Sequence, residues 1–270
     1  MSEPRGYALI TGAANGLGRA LALALARDGW HVAIADVDVE ASQQTLALIG
    51  DAGGSGQVEP LDVSRPEQWQ ALAVRLVAQW PRLDLLANVA GVAVSGEVGH
   101  VTLDNWRWSL DVNLMGTIFG CHTFVPWLKQ NPRGAHIVNV ASIAAFASLP
   151  AMAPYNVAKA GVVALSETMY AELRNANVGV TVVAPGFFAS GLLERGRFAQ
   201  PSHREFTSQA MRDSRLSVDD LARATLHAVR KRQFYVVLPR RARIFWWLKR
   251  MLPTRVLRFV ASRYRSEIAE

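Results

Sequence analysis

Cysteine is nearly absent: Cys121 alone in 270 residues. This excludes an internal disulfide and suits a reducing compartment. No uninterrupted apolar run reaches about 18 residues, so no membrane-spanning helix is expected. The opening MSEPRGYALITG holds too short an apolar run, soon broken by glycines, for a secretory signal, and a cytoplasmic location is expected. Low complexity is confined to 52-AGGSG-56, too short for a domain linker, and no internal repeat is visible. Acidic residues are missing from Leu221 to Ser266, where 13 Lys/Arg lie. The rest of the chain carries 16 basic and 22 acidic residues, a net of −6, so the overall +7 averages two unlike regions. A mildly acidic body with a strongly basic C-terminal segment points to an anionic surface near the tail, not to a protein that is basic all over. No nucleic-acid motif accompanies that charge, and neither nucleic acid nor a metal ion is expected to bind.

Half of the residues are hydrophobic, enough for a sizeable core. Short apolar, β-branched runs alternate with longer helical patterns. Strands are expected at Tyr7–Ile10, His31–Ala35, Val58–Leu61, Leu83–Ala87, His136–Val140, Val180–Ala184 and 234-FYVVL-238. Helices are expected at Gly16–Gly29, 39–50, near Pro66–Trp80, at 102–130 (capped by Thr102 and interrupted at Pro126), at 155–175 and near Val218–Arg232. This alternation implies βαβ units, and unbroken apolar strands such as 136-HIVNV-140 imply a parallel sheet buried on both faces. The expected fold is a single α/β domain over 1–239, a three-layer, doubly wound parallel sheet, followed by a basic amphipathic tail over 240–270.

The first strand ends in 11-TGAANGLG-18 and runs straight into a helix. Glycines permit a tight turn and close approach to a ligand, and the helix start offers free N–H groups to a pyrophosphate. A plain glycine-rich turn would have the same composition, but the position in the first βα turn is the one a dinucleotide site requires. The second strand ends at Asp36, 18 residues past Gly18. A carboxylate there either accepts both ribose hydroxyls of NAD or is a solvated turn residue. In the first role it repels the 2′-phosphate of NADP. No Arg or Lys stands in 13-AANGL-17 or directly after Asp36 to offset this, so NAD is favoured over NADP.

TGxxxGxG at 11–18, 88-NVAG-91 after the fourth strand, Asn113 in a long helix, Ser142 after the fifth strand and Tyr155-x-x-x-Lys159 together resemble the short-chain dehydrogenase/reductase family, in order and spacing from residue 7 to about 238. The resemblance implies a Rossmann-like fold and roles at matching positions. Gly12, Asn15, Gly16, Leu17 and Gly18 would hold the pyrophosphate. Asp62 and Val63 would lie at the adenine. Asn88, Ala90 and Gly91 would support the adenosine ribose and the central strand. In the Pro185-Gly186 motif and beyond, Phe188 and Ser190 would face the nicotinamide carboxamide. Two positions depart from the family pattern: Val89 stands where a second Asn is common, and Ser190 where Thr is common. Ser190 keeps the hydroxyl, whereas Val89 puts the hydrogen bonding of that turn in doubt.

A Tyr and a Lys four apart share a helix face, which describes an ordinary surface pair as well as a proton-transfer device. Beside the other motifs the second reading gains weight. An ammonium at Lys159 would favour the phenolate of Tyr155 and lower its pKa. The resemblance implies that Lys159 also binds the nicotinamide ribose, that Ser142 holds the substrate oxygen and that Asn113 fixes a water of the relay. Small Ala158, Ala160 and Gly161 would allow close helix packing.

Substrate choice in such folds comes from loops beyond the strand ends. These are 92–100, 143–153 and 187–217. The first two lack Lys and Arg. Phe146, Leu149, Met152, Phe187, Phe188, Leu192 and Leu193 are either pocket walls for a lipophilic alcohol or ketone, or packing against each other or a neighbouring subunit. Arg195, Arg197, His203, Arg204, Arg212 and Arg215 would meet an acidic group on a carrier-bound substrate or form a solvated lid. The tail 240–265 carries nine Lys/Arg among large apolar groups and is split by Pro253 into two helices. It suits peripheral contact with a membrane interface or a partner subunit. The family resemblance implies a homodimer or homotetramer through the helices near 102–130 and 155–175. The expected activity is NAD-dependent hydride transfer to or from a lipophilic secondary alcohol or ketone. The rivals are an NADP-dependent 3-oxoacyl reductase and a non-catalytic dinucleotide-binding scaffold at a membrane.

Overall fold

Seven strands form one sheet whose central strands are apolar and buried on both faces. In a computed structural model, which describes residues 3–268, these are β1 (Tyr7–Thr11), β2 (His31–Asp36), β3 (Ser55–Pro60), β4 (Leu85–Asn88), β6 (Ala135–Val140), β7 (Val178–Pro185) and β9 (Tyr235–Leu238). They lie in the order β3-β2-β1-β4-β6-β7-β9, and every pairing is parallel. From β1 the chain winds outward to β3, then returns to β4 on the other side of β1. That reversal opens a crevice at the carboxyl ends of β1 and β4, the usual ligand position in a doubly wound sheet.

Successive residues of each strand feed opposite layers. Ala8 and Ile10 pack with Leu17, Leu21 and Leu25 of α1 (Gly16–Arg27), with Ile49 of α2 (Val39–Asp51) and with Leu221 and Ala222 of α9 (Val218–Lys231). Leu9 faces the other way. It joins Trp69, Leu72 and Leu76 of α3 (Pro66–Gln79), Phe124 and Leu128 of α5 (Gly116–Lys129) and Met169 of α7 (Ala153–Glu172).

The long helix expected over 102–130 is two helices joined by a π turn. The Thr102 hydroxyl caps α4 (Leu103–Leu110), accepting from Asn105 N–H at 3.3 Å. A π turn over Asp111–Met115 leads into α5. Within it the Asn113 amide donates to the Ser109 carbonyl at 3.0 Å, so a side chain enters the ladder where the turn widens. Pro126 does not interrupt α5. It removes one N–H near the helix end, while Phe124 and Leu128 anchor that turn in the core.

The 187–217 segment is more ordered than its polar sequence implies. It contains β8 (Arg197–Phe198), which pairs in parallel with β5 (Val94–Ser95), and α8 (Pro201–Arg212), with Pro201 in its first turn. Two of the three substrate-side loops are thereby tied together. The short α6 (Ala144–Ala147) follows β6. After β9 the chain forms α10 (Arg240–Met251) and α11 (Pro253–Ile268), which break at Pro253. No helix of the described residues is long and apolar enough to cross a membrane.

Candidate active site

The turn after β1 is built from backbone constraints. Gly12 and Gly16 have φ of +66° and +52°, a region where an L side chain is strained. A Cβ on Gly12 would come 2.8 Å from the Ala90 backbone, and one on Gly18 would come 2.1 Å from the Gly12 carbonyl oxygen. The Thr11 hydroxyl accepts from Val89 N–H at 3.0 Å and Ala90 N–H at 3.2 Å, fastening the end of β1 to the 88–91 turn. Val89, where a second Asn is common, thus makes its turn contact through its backbone. Gly16, Leu17 and Gly18, at the N-terminus of α1, open onto a cleft of about 460 Å³. A bare backbone facing a helix N-terminus fits a pyrophosphate, so the residues present suit a nicotinamide dinucleotide.

Asp36 lies at the carboxyl end of β2 and is 6% exposed, so it is not a solvated turn residue. Ala14 N–H donates to its Oδ2 at 3.1 Å and Asp38 N–H to its Oδ1 at 3.1 Å. A third partner comes from a distant part of the chain. The Arg195 guanidinium donates to Asp36 Oδ1 at 3.3 Å and to Asp38 Oδ2 at 2.7 Å. No spacing in the sequence singles out Arg195 from the other cations of 187–217. Asp62, Val63, Ala90, Gly91, Asn15, Pro185, Gly186, Phe188 and Ser190 also line the cleft.

Asn88 and Asn113 do not. The Asn88 amide donates to Asn139 Oδ1 at 2.9 Å inside the sheet, joining β4 to β6. Asn113 is fully buried. Its Oδ1 accepts from Val92 N–H at 3.0 Å, and its amide donates to the Val92 carbonyl at 3.0 Å. This side chain holds the 92–100 loop behind Gly91 and has little capacity left for a water.

Ser142, Tyr155 and Lys159 converge at the middle of the cleft. Ser142 follows β6, and its hydroxyl accepts from Ala144 N–H at 3.1 Å. Tyr155 and Lys159 are 8% and 3% exposed, so they are not a surface pair. The Lys159 ammonium donates to the Val140 carbonyl at 2.9 Å and lies 5.8 Å from the centre of the Tyr155 ring. Close packing brings them there: Ala158 is fully buried, and a Cβ on Gly161 would come 2.8 Å from Leu114 in the π turn. Ala160 contributes nothing to this, since it faces outward.

The expected lowering of the Tyr155 pKa is not what the chain alone provides. Burial pushes this phenol above its ordinary value, and the neighbouring Ser142 hydroxyl only partly offsets the rise. Burial also lowers the Lys159 ammonium to about 8. Desolvation penalises both charged forms and is the largest cause of each shift.

Beyond Ser142 the cleft wall is apolar. Leu149, Met152, Phe187 and Leu192 line it as expected, joined by Trp108, Val112, Phe198 and Met211. Among the described residues, the charged groups on the wall are Asp36, Asp62, Lys159 and Arg195, and Arg195 is paired with Asp36. Phe146 is elsewhere: it turns away and stacks on Trp246. Leu193 is not on the wall either. Thr207 and Met211 reach the wall from one face of α8, and their i, i+4 spacing behind Pro201 is the sequence signal that could have found them.

The family model for short chain dehydrogenases matches residues 6–199. A probable oxidoreductase of Mycobacterium tuberculosis, EphD, is 32% identical over 266 residues, 94% of this chain and 45% of its own. The chain therefore spans about half the length of these curated relatives. A short-chain dehydrogenase/reductase from Burkholderia phymatum, solved in complex with NAD, is 34% identical with a TM-score of 0.87, covering 93% of this chain and 95% of its own. One from Sphingobium yanoikuyae, solved with NADPH, is 25% identical with a TM-score of 0.76, covering 87% and 88%. Relatives of the same fold thus carry either dinucleotide, and the protein belongs to the short-chain dehydrogenase/reductase family.

Proposed function

We propose that the protein transfers hydride between NAD(H) and a lipophilic secondary alcohol or ketone. The observation that carries this reading is a single cleft in which the glycine turn, the Ser142–Tyr155–Lys159 group and an apolar wall succeed one another. The dinucleotide supplies the hydride acceptor or donor. Ser142 Oγ holds the substrate oxygen, and Tyr155 Oη transfers the proton to or from it. Near neutral pH the buried phenol keeps its proton, the form that protonates a carbonyl oxygen during reduction. Oxidation needs the phenolate, which Lys159 favours while it keeps its charge. Asn113 acts one step back, holding Val92 against the site.

Asp36 supports NAD, since a carboxylate accepts from the ribose diol and repels a 2′-phosphate. Arg195 supports a second reading: a cation beside that carboxylate would meet the extra phosphate of NADP. Fluorescence titration with NADH and NADPH decides between them, followed by turnover with a panel of hydrophobic alcohols and ketones. Tighter binding of NADH is expected, and tighter binding of NADPH would reverse the assignment. Binding without turnover of any substrate would revive a scaffold role. A homodimer or homotetramer through α4, α5 and α7 belongs to the same proposal, supported by exposed Leu103 and Val157 on those helices.

A further inference from the structure

The tail after β9 has two unlike faces. On the inner face of α10, the Trp246 ring stacks on Phe146 with centroids 4.8 Å apart and also meets Tyr235 at 4.8 Å. The Lys249 ammonium donates to Ser148 Oγ at 2.9 Å. From α11, the Tyr264 hydroxyl donates to Glu97 Oε1 at 3.1 Å. On the outer face, Ile244, Trp247, Leu248 and Met251 are 58%, 58%, 49% and 71% exposed. Their i, i+3, i+4, i+7 spacing makes one apolar stripe along α10, and Leu257 and Phe259 continue the exposed apolar surface on α11. Exposed Arg240, Arg241, Arg243 and Arg250 flank the stripe.

We propose that α10 and α11 form a docking surface for an anionic phospholipid bilayer, which sets the substrate end of the cleft against the membrane. Charge selects this occupant. Residues 240–265 hold nine Lys/Arg and no acidic residue, so two copies meeting through this face would oppose cation to cation. Anionic headgroups complement the arginines while the Trp247 stripe enters the acyl boundary. Neither helix spans the bilayer, so the contact is peripheral.

Placement gives the surface its role. Ser148 adjoins Leu149 on the cleft wall, and Glu97 belongs to the loop that contributes Val92, Ala93 and Ser95 to the same wall. Two of the three substrate-side loops are therefore pinned to the tail, and a greasy substrate leaving the bilayer meets the cleft beside the docking face. This last step rests on the lipophilic-substrate reading, whereas the docking itself does not.

Flotation of the full chain with vesicles tests the docking. Binding to vesicles of phosphatidylcholine with phosphatidylglycerol is expected, with loss of binding on phosphatidylcholine alone and at high salt. Replacing Arg240, Arg241 and Arg243 by Gln together is expected to weaken binding about a hundredfold, and Trp247→Glu to abolish it. NADH titration of each variant should be unchanged, which shows that the fold and the dinucleotide site are intact. Absence of wild-type binding, equal binding to both vesicle types, or a concentration-dependent dimer that the same substitutions dissolve would each overturn the proposal. Turnover of a ketone in neutral detergent micelles reads the enzymatic assignment separately, because it requires no vesicle.

Discussion

The two ends of the cleft are specified in different ways. At the dinucleotide end, backbone geometry dictates the sequence: Gly12 needs positive φ, and Gly18 has no room for a Cβ. At the substrate end, side chains from five places meet: Trp108 from α4, Leu149 after α6, Phe187 after β7, Phe198 from β8 and Met211 from α8. The first end tolerates few residues at fixed spacing. The second asks only for apolar bulk, which many sequences supply. A fold built this way can hold its cofactor chemistry constant while its substrate changes.

The largest expected effect lies where the two ends meet. Tyr155→Phe keeps the ring in place and removes the proposed acid/base, so turnover should fall by about 10² to 10⁴ while NADH binding is retained. Initial rates and a fluorescence titration check both halves of that statement, and near-normal turnover would remove Tyr155 from the mechanism. Gly18→Ala attacks the dinucleotide end through packing alone. With 2.1 Å available to the new Cβ, a loss of about 1–3 kcal/mol is expected, read by denaturant unfolding, together with weaker NADH binding.

A stability effect of comparable size should come from pH and leave the cleft untouched. His136 in β6 is held by burial at a pKa of about 4, against 6.5 when free. Its Nε2 lies 2.8 Å from Thr181 Oγ1. The unfolded chain takes up this proton first, so the stability held above pH 6.5 should be lost as pH falls toward 4, by up to about 3 kcal/mol. In His136→Asn that part of the acid slope should vanish, and an unchanged slope would refute the assignment.

On the substrate side the effects are smaller. Trp246→Ala removes the stack on Phe146 and Tyr235 and should cost about 1–2 kcal/mol, seen as a lower Tm with NADH affinity unchanged. Arg195→Ala should instead act on affinity. Freed of a partly exposed ion pair, Asp36 should bind NADH about two- to fivefold more tightly and NADPH more weakly. A loss of NADH affinity would instead make Arg195 part of the dinucleotide site.

The sequence revealed most where one residue type has one physical reason. Strand positions and the parallel sheet follow from apolar runs separated by helical patterns, and the dinucleotide end from glycines in the first βα turn. Tyr155 and Lys159 were visible from their shared helix face, but their burial was not, and burial reverses the expected shift of the phenol. Asn113 stood out by position, yet its bonds to Val92 depend on a loop 21 residues away. Arg195 reaches Asp36 across 159 residues, and Phe146 leaves the wall because Trp246 offers a larger aromatic face. Contacts of that range are tertiary, and no local period encodes them.

The central claim is that hydride from NADH reaches a carbonyl inside an apolar pocket. Its most direct test is the initial rate of NADH consumption with a homologous series of methyl ketones of increasing chain length. Each methylene that enters the pocket should raise kcat/KM about three- to fourfold until the wall is filled, and Tyr155→Phe should abolish the whole series. A series that is flat or falls with chain length, or bound NADH that reduces no member of it, would contradict the account.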